Sequence, residues 1–249
     1  MAKQSSIIKI EGSIDDLTFY KSKDGFRVRR KSEISAARIA NDPAFARTRE
    51  NGKEFGHIAE VGKYLRRAVV DLSAQISDAN LVARVVKQMG AIKNLDKTSP
   101  RGERKVSVGM AAPEGKLLLK GFNFNSDAPL DAVVKKELEL DTATGAISLT
   151  NFHPEKQLVA PQGATHASFT AGFLNLDFET GEAQLSVSPE AVTALEAAPA
   201  TITLTPDSVP AGSGIQLFLL LVEFHQEMNG GMYPLNNGAF NALSIIEVL

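Results

Sequence analysis

A chain of 249 residues, 43% hydrophobic and 22% charged, holds enough apolar material for one large or two modest domains, which argues against global disorder. It has no cysteine, so disulfides, thiolate metal sites and cysteine nucleophiles are excluded together. The net charge of −2 conceals a separation: residues 1–105 hold 22 Lys and Arg against 13 Asp and Glu, a net of +9, while residues 106–249 hold 5 against 16, a net of −11.

No Lys or Arg follows Lys156. A chain polarised in this way draws copies together end to end, or turns one end toward an anionic partner. The opening residues contain no apolar run of secretory-leader length. The longest mainly apolar stretch, Ile215 to Phe224, is about half of the ~20 residues that a spanning helix requires. The expected setting is therefore the cytoplasm as synthesised, with export lacking a cleaved leader left open, and no membrane partner.

In chain order, Ile8 and Ile10 alternate with polar neighbours. The runs Leu17 to Tyr20 and Phe26 to Arg29 then flank Ser22-Lys23-Asp24-Gly25, a hairpin signal. Arg27, Arg29 and Lys31 recur at every second position and give its second strand a basic face. Asp42-Pro43 has the order of a helix start, an acidic cap and then proline. Phe45, Phe55, Ile58, Leu65, Val69, Leu72 and Ile76 follow at roughly helical spacing. Gly52, Gly56 and Gly62 within that helix suggest close backbone packing, or a break near Gly52. Ser77-Asp78 is read as the cap of a second amphipathic helix through Leu81, Val82, Val85, Val86, Met89 and Ile92.

The polar stretch Lys97 to Lys105, with Pro100 and Gly102, is read as the boundary between a basic N-terminal region (1–105) and an acidic all-β domain (106–249). Short β segments are expected near 106–111, 116–123, 131–141, 146–151, 166–178, 183–188, 201–205, 215–226 and 239–248, with turns such as Glu179-Thr180-Gly181-Glu182 between them. Ile215 to Val222, apolar on both alternating faces, predicts a central strand. Ser188 to Gly214 is read as a surface excursion containing one short strand. The resulting fold class is α+β: an N-terminal β-hairpin and helical region followed by an antiparallel β-sandwich.

Chemistry-bearing patterns are sparse. There is no Gly-x-Ser-x-Gly elbow, phosphate-binding loop or dinucleotide fingerprint. Within Thr165-His166-Ala167-Ser168 the serine and histidine are read as facing opposite ways, which removes a triad there. Glu223, His225 and Glu227 alternate on one strand face and offer oxygen and nitrogen donors for a divalent metal or an acid–base pair. The plainer reading is a solvated continuation of the strand. His153 and His166 read as loop or strand-end residues. No catalytic residue, metal or cofactor is assigned, and the protein is expected not to be an enzyme.

The basic block has more substance. Arg27, Arg29, Arg30, Lys31, Arg47, Arg49, Arg66 and Arg67 form a candidate surface for assembly or for a polyanion, with Phe19, Tyr20, Phe26 and Tyr64 nearby. Such a set suits a nucleic-acid backbone, although Glu33, Asp42, Glu50, Glu54 and Glu60 are interleaved as on a solvated helix. The preferred expectation is a structural subunit that self-assembles head to tail into a ring, tube or filament. Nucleic-acid binding is the alternative.

The segments Leu17 to Lys31 and Asn41 to Asn51 resemble the opening of a family of uncharacterised bacterial proteins. Gly163-Ala164-Thr165-His166 and Tyr233 to Leu243 resemble later segments of the same family. The resemblance spans nearly the whole chain and implies no activity and no site residue.

Overall fold

The computed structural model describes residues 2–5, 7–31, 34–235 and 238–249. Glu33, Asn236 and Asn237, singled out in the sequence, lie outside the described residues. Two compact units are present, Met1–Asn51 and Gly52–Leu249.

The first unit is a four-stranded antiparallel sheet and a short helix. Strands β1 (Ala2–Lys3), β2 (Gly12–Ile14), β3 (Leu17–Ser22) and β4 (Gly25–Arg30) lie in the order β1-β4-β3-β2. The predicted hairpin is β3–β4, in register from Leu17↔Arg30 to Ser22↔Gly25. Gly25 closes its turn with φ of +104°, a conformation that β-carbons disfavour. Ser35 caps α1 (Ala36–Asn41), and Asp42 caps a 3-10 turn, Pro43–Phe45, by accepting from the Ala44 N–H at 2.9 Å. The expected acid–proline start is realised there, and α2 (Ala46–Ala68) follows. No described residue of this unit is buried.

The second unit is built on two long antiparallel strands, β7 (His166–Leu176) and β11 (Ile215–Met228). Beyond β11 lie β13 (Ala242–Val248) and β12 (Gly231–Pro234); beyond β7 lie β8 (Ala183–Val187) and β9 (Ala191–Ala194). A second sheet has the order β10 (Ala200–Leu204), β6 (Ala146–Phe152), β5 (Glu139–Asp141).

Alternation along β11 assigns its two faces to two cores. Leu217, Leu219 and Leu221 pack, with Leu174 and Leu176 of β7, against the helices; Leu220, Val222 and Phe224 pack, with Phe169 and Ala171, against Ile147, Leu149 and Leu204 of the second sheet. Both faces are covered, which is why the strand reads as continuously apolar. The helical layer consists of the Gly52–Ala68 part of α2, α3 (Val70–Ser73), α4 (Leu81–Lys93), α5 (Val106–Ala111) and α6 (Pro113–Leu119). Each large apolar side chain fully buried in these cores contributes about 1.5–3 kcal/mol of transfer free energy.

Several local expectations are corrected. Residues 106–111 form α5 and 116–119 lie in α6, with 120–123 irregular apart from an isolated bridge at Asn123, and 131–141 divides into α7 (Leu130–Val133) and β5. Short apolar runs do not distinguish a buried strand from a buried helix. Here Val106 and Met110, one turn apart, are both buried, and Pro113 begins α6 at its first position. Of the three α2 glycines only Gly62 is closely approached, where a β-carbon would meet Val85 Cγ1 at 3.1 Å; nothing lies within 4 Å of Gly52 or Gly56. Helix α4 starts at Leu81, and Asp78 supports it from outside, accepting from the Asn80 N–H and from Arg84 at 2.6 Å each. The Ser188–Gly214 excursion carries two short strands, β9 and β10.

The division of the chain at 51/52 precedes the polar segment 97–105 because that segment is bound into the second unit by two buried carboxylates. Asp96 accepts from the N–H groups of Thr98, Ser99 and Lys105 at 2.9–3.0 Å. Burial pushes its pKa up, but these bonds and those to the Ser99 and Thr98 side chains outweigh it and hold the carboxyl well below the usual range. The second carboxylate is Glu54. Expected on a solvated face, it is instead 5% exposed and accepts from Gly102 N–H, Arg104 and Lys93.

Candidate functional site

The basic residues of the first unit differ in how far they are already engaged. Arg27 pairs with Asp24 at 2.6 Å and donates to Ser22 Oγ at 3.1 Å. Arg30 lies 3.6 Å from Asp16. Arg49 donates to the carbonyls of Ile39 and Asp42 at 2.8 and 2.9 Å, closing the turn ahead of α2. Arg29 is exposed on β4 with its guanidinium 5.6 Å above the Tyr20 ring, and no described carboxylate pairs with it. Lys31 and Arg47 are also exposed. The predicted basic face therefore survives at Arg29 and Lys31, whereas Arg27 is largely satisfied within its own turn.

Arg66 and Arg67 belong to the second unit, near the end of α2. Arg66 is half-buried, and its Nε has no hydrogen-bond partner among the described residues. Arg67 is exposed and stands at the rim of a cleft of about 340 Å³ between the helical layer and the sheet. The eight predicted basic residues thus fall into two sets on different units.

The cleft forms where the helices end and the sheet continues. Odd positions of β11 face the helices as far as Leu221; from Glu223 onward the same face has lost its cover. Leu72, Leu185, Val187 and Leu221 make an apolar floor, and Glu190, Glu223 and Asp71 bring acid to it. Glu223 is half-buried, and its carboxylate forms no hydrogen bond among the described residues. Burial, and secondarily the nearby Glu190 carboxylate, push its pKa up to about 7.

His225, two residues further along this face, places Nε2 2.9 Å from Ser168 Oγ and 3.8 Å from Glu190 Oε1. Ser168 and His166 are two residues apart on β7 and share this face, correcting the sequence reading. The cross-strand register pairs Glu223 with Ser168 and His225 with His166. His166 Nδ1 shares a hydrogen bond with Thr165 Oγ1 at 2.9 Å, and His166 Nε2 lies 3.8 Å from Glu227 Oε2.

Ser168 is 1% exposed, and the serine hydroxyl and Glu190 approach the same histidine nitrogen. A nucleophile–base–orienter relay requires the two ring nitrogens to serve different partners. Among the described residues no group of three or more His, Asp or Glu is arranged to hold a metal ion. His57 serves the fold: its Nε2 accepts the Val106 N–H at 3.0 Å at the start of α5, and burial lowers its pKa.

Sequence reasoning found Glu223 and His225 through their alternation. It missed Glu190 and the pairing of Ser168 with His225, because cross-strand neighbours leave no spacing signal. No helix among the described residues is long and apolar enough to cross a membrane. Comparison of the chain with protein-family models, with curated proteins and with solved structures finds no match.

Proposed function

We propose that the protein is a structural subunit that assembles with copies of itself head to tail, the basic arm 1–51 of one molecule meeting the acidic surface of the next. The observation that carries this reading is the arm itself, a folded sheet in which no described residue is buried. Ile7, Ile8, Ile14 and Leu17 are 101%, 75%, 55% and 42% exposed. Strands of two to six residues with no core are insufficient for independent stability, so a second surface is required to cover them.

Charge supports the same direction. Residues 1–51 hold 11 Lys and Arg against 7 Asp and Glu, a net of +4, and residues 52–249 hold 16 against 22, a net of −6. A contact between two different patches of identical molecules closes into a ring or continues as a filament. Nucleic-acid binding is less well supported, because Asp24, Asp16 and Asp42 already neutralise Arg27, Arg30 and Arg38.

The double change Arg29→Glu and Lys31→Glu, at the two exposed cations of the basic face, is expected to abolish multimers seen by light scattering while leaving the circular dichroism spectrum unchanged. Retained assembly would contradict the proposal. Wild-type binding to single-stranded DNA at ~50 mM salt that collapses by ~200 mM, without assembly, would favour the alternative.

A further inference from the structure

We propose that the cleft between α3 and the sheet is the seat of Arg29 from a second copy, whose guanidinium pairs there with Glu223 and Glu190. This rests on the assembly reading and specifies its contact. Three observations carry it.

The cleft has an acidic end at which Glu190 lies 3.8 Å from His225 Nε2, while the Glu223 carboxylate has no such neighbour among the described residues. The Glu223 carboxylate forms no hydrogen bond among the described residues, and Glu190 lies beside it, half-exposed. A half-buried carboxyl without a partner is a standing cost, and a cation removes it. The shape also fits: apolar walls at Val70, Leu72 and Leu221 receive an aliphatic stem, and two carboxylates receive a planar fork that grips both. On the other side, Arg29 is an exposed guanidinium of the arm without a described carboxylate partner, and it is held above Tyr20. A side chain restrained in this way loses less freedom on docking. Lys31, exposed just past the end of β4, adds charge toward the same acidic rim.

The contact is linked to protons. The charged and titratable groups facing Glu223 are Arg67 from α2, Asp71 from α3, Glu190 from the β8–β9 connection and His225 from β11. Burial and Glu190 keep Glu223 protonated up to about 7, and a docked guanidinium requires it ionised. Association therefore tightens as pH rises through 7, and docking below that point releases a proton.

Sedimentation of the full-length chain at low ionic strength, at about pH 6 and about pH 8, reads this directly. Wild type is expected to associate about tenfold or more tightly at the higher pH. Glu223→Gln is expected to associate weakly at both and to lose the pH dependence. Arg29→Glu and Glu223→Arg each weaken association, and the two combined in one chain restore it. Wild-type assembly that Glu223→Gln leaves unchanged, with its pH dependence intact, overturns the seat and leaves the assembly reading standing. A wild-type monomer at both pH values overturns both. Because Glu223→Gln removes a charge that the fold disfavours, it is expected to be at least as resistant to urea as wild type at the higher pH; this shows that any lost association is not lost folding.

Discussion

Replacing Glu54 by alanine is expected to cost about 3 kcal/mol of folding stability, because it removes the shared acceptor of a buried cluster. The carboxylate takes two bonds from Arg104, at 2.7 Å each, one from the Gly102 N–H at 2.9 Å, and one from Lys93. Lys93 itself is 7% exposed, so alanine leaves a buried ammonium and a buried N–H without their partner. Arg104, with Lys93 and Gly102 against the opposing effect of burial, lowers the pKa of Glu54 from 4.5 to about 2. The bonding therefore contributes fully above pH 4.5 and is lost as pH falls toward 2.

Glu54→Gln keeps the shape and part of the bonding, so it is expected to cost less at neutral pH while flattening the acid limb of the stability curve. Urea unfolding at neutral pH and through the acid range checks both. An unchanged midpoint for Glu54→Ala would show that the cluster is not a net support for the helical layer.

Gly109→Ala is expected to destabilise by a similar amount, about 3 kcal/mol, for a steric reason. A β-carbon at Gly109 would fall inside the contact distance of the Ile92 carbonyl oxygen and 2.9 Å from its carbon. Backbone does not yield as a flexible side chain does. Helix α5 is seated against the end of α4 at this point, and α6 is seated in turn on α5, where a β-carbon at Gly115 would lie 2.8 Å from the Gly109 carbonyl carbon. Helices of six and seven residues have little stability of their own; the close approach is what places Met110 and Leu119 in the core. Gly52→Ala, with open space around the β-carbon, is the control and is expected to stabilise by up to ~1 kcal/mol. Thermal unfolding of the two variants separates steric seating from helix propensity, and equal midpoints would contradict the packing described.

The sequence made some features plain and concealed others for identifiable reasons. The β3–β4 hairpin was legible because its turn residues and alternation are local. β11 was legible because a strand covered on both faces is apolar at every position. Helices α5 and α6 were not, since their placement depends on glycines whose contacts are remote in sequence. The polar composition of 97–105 reads as a boundary, but Asp96 and Glu54 take up its polar groups in bonds that composition does not register. In the cleft, Glu223 and His225 were visible as an alternating pair. Ser168 and Glu190 arrive through β7 and the β8–β9 connection, and their closeness to His225 is visible only in three dimensions.

Head-to-tail assembly is read by sedimentation velocity of the purified wild-type chain at low salt and at ~0.5 M salt, where exposed charges beyond a few ångströms are screened. The account predicts multimers at low salt that shrink toward single chains at high salt. Single chains under both conditions would contradict it.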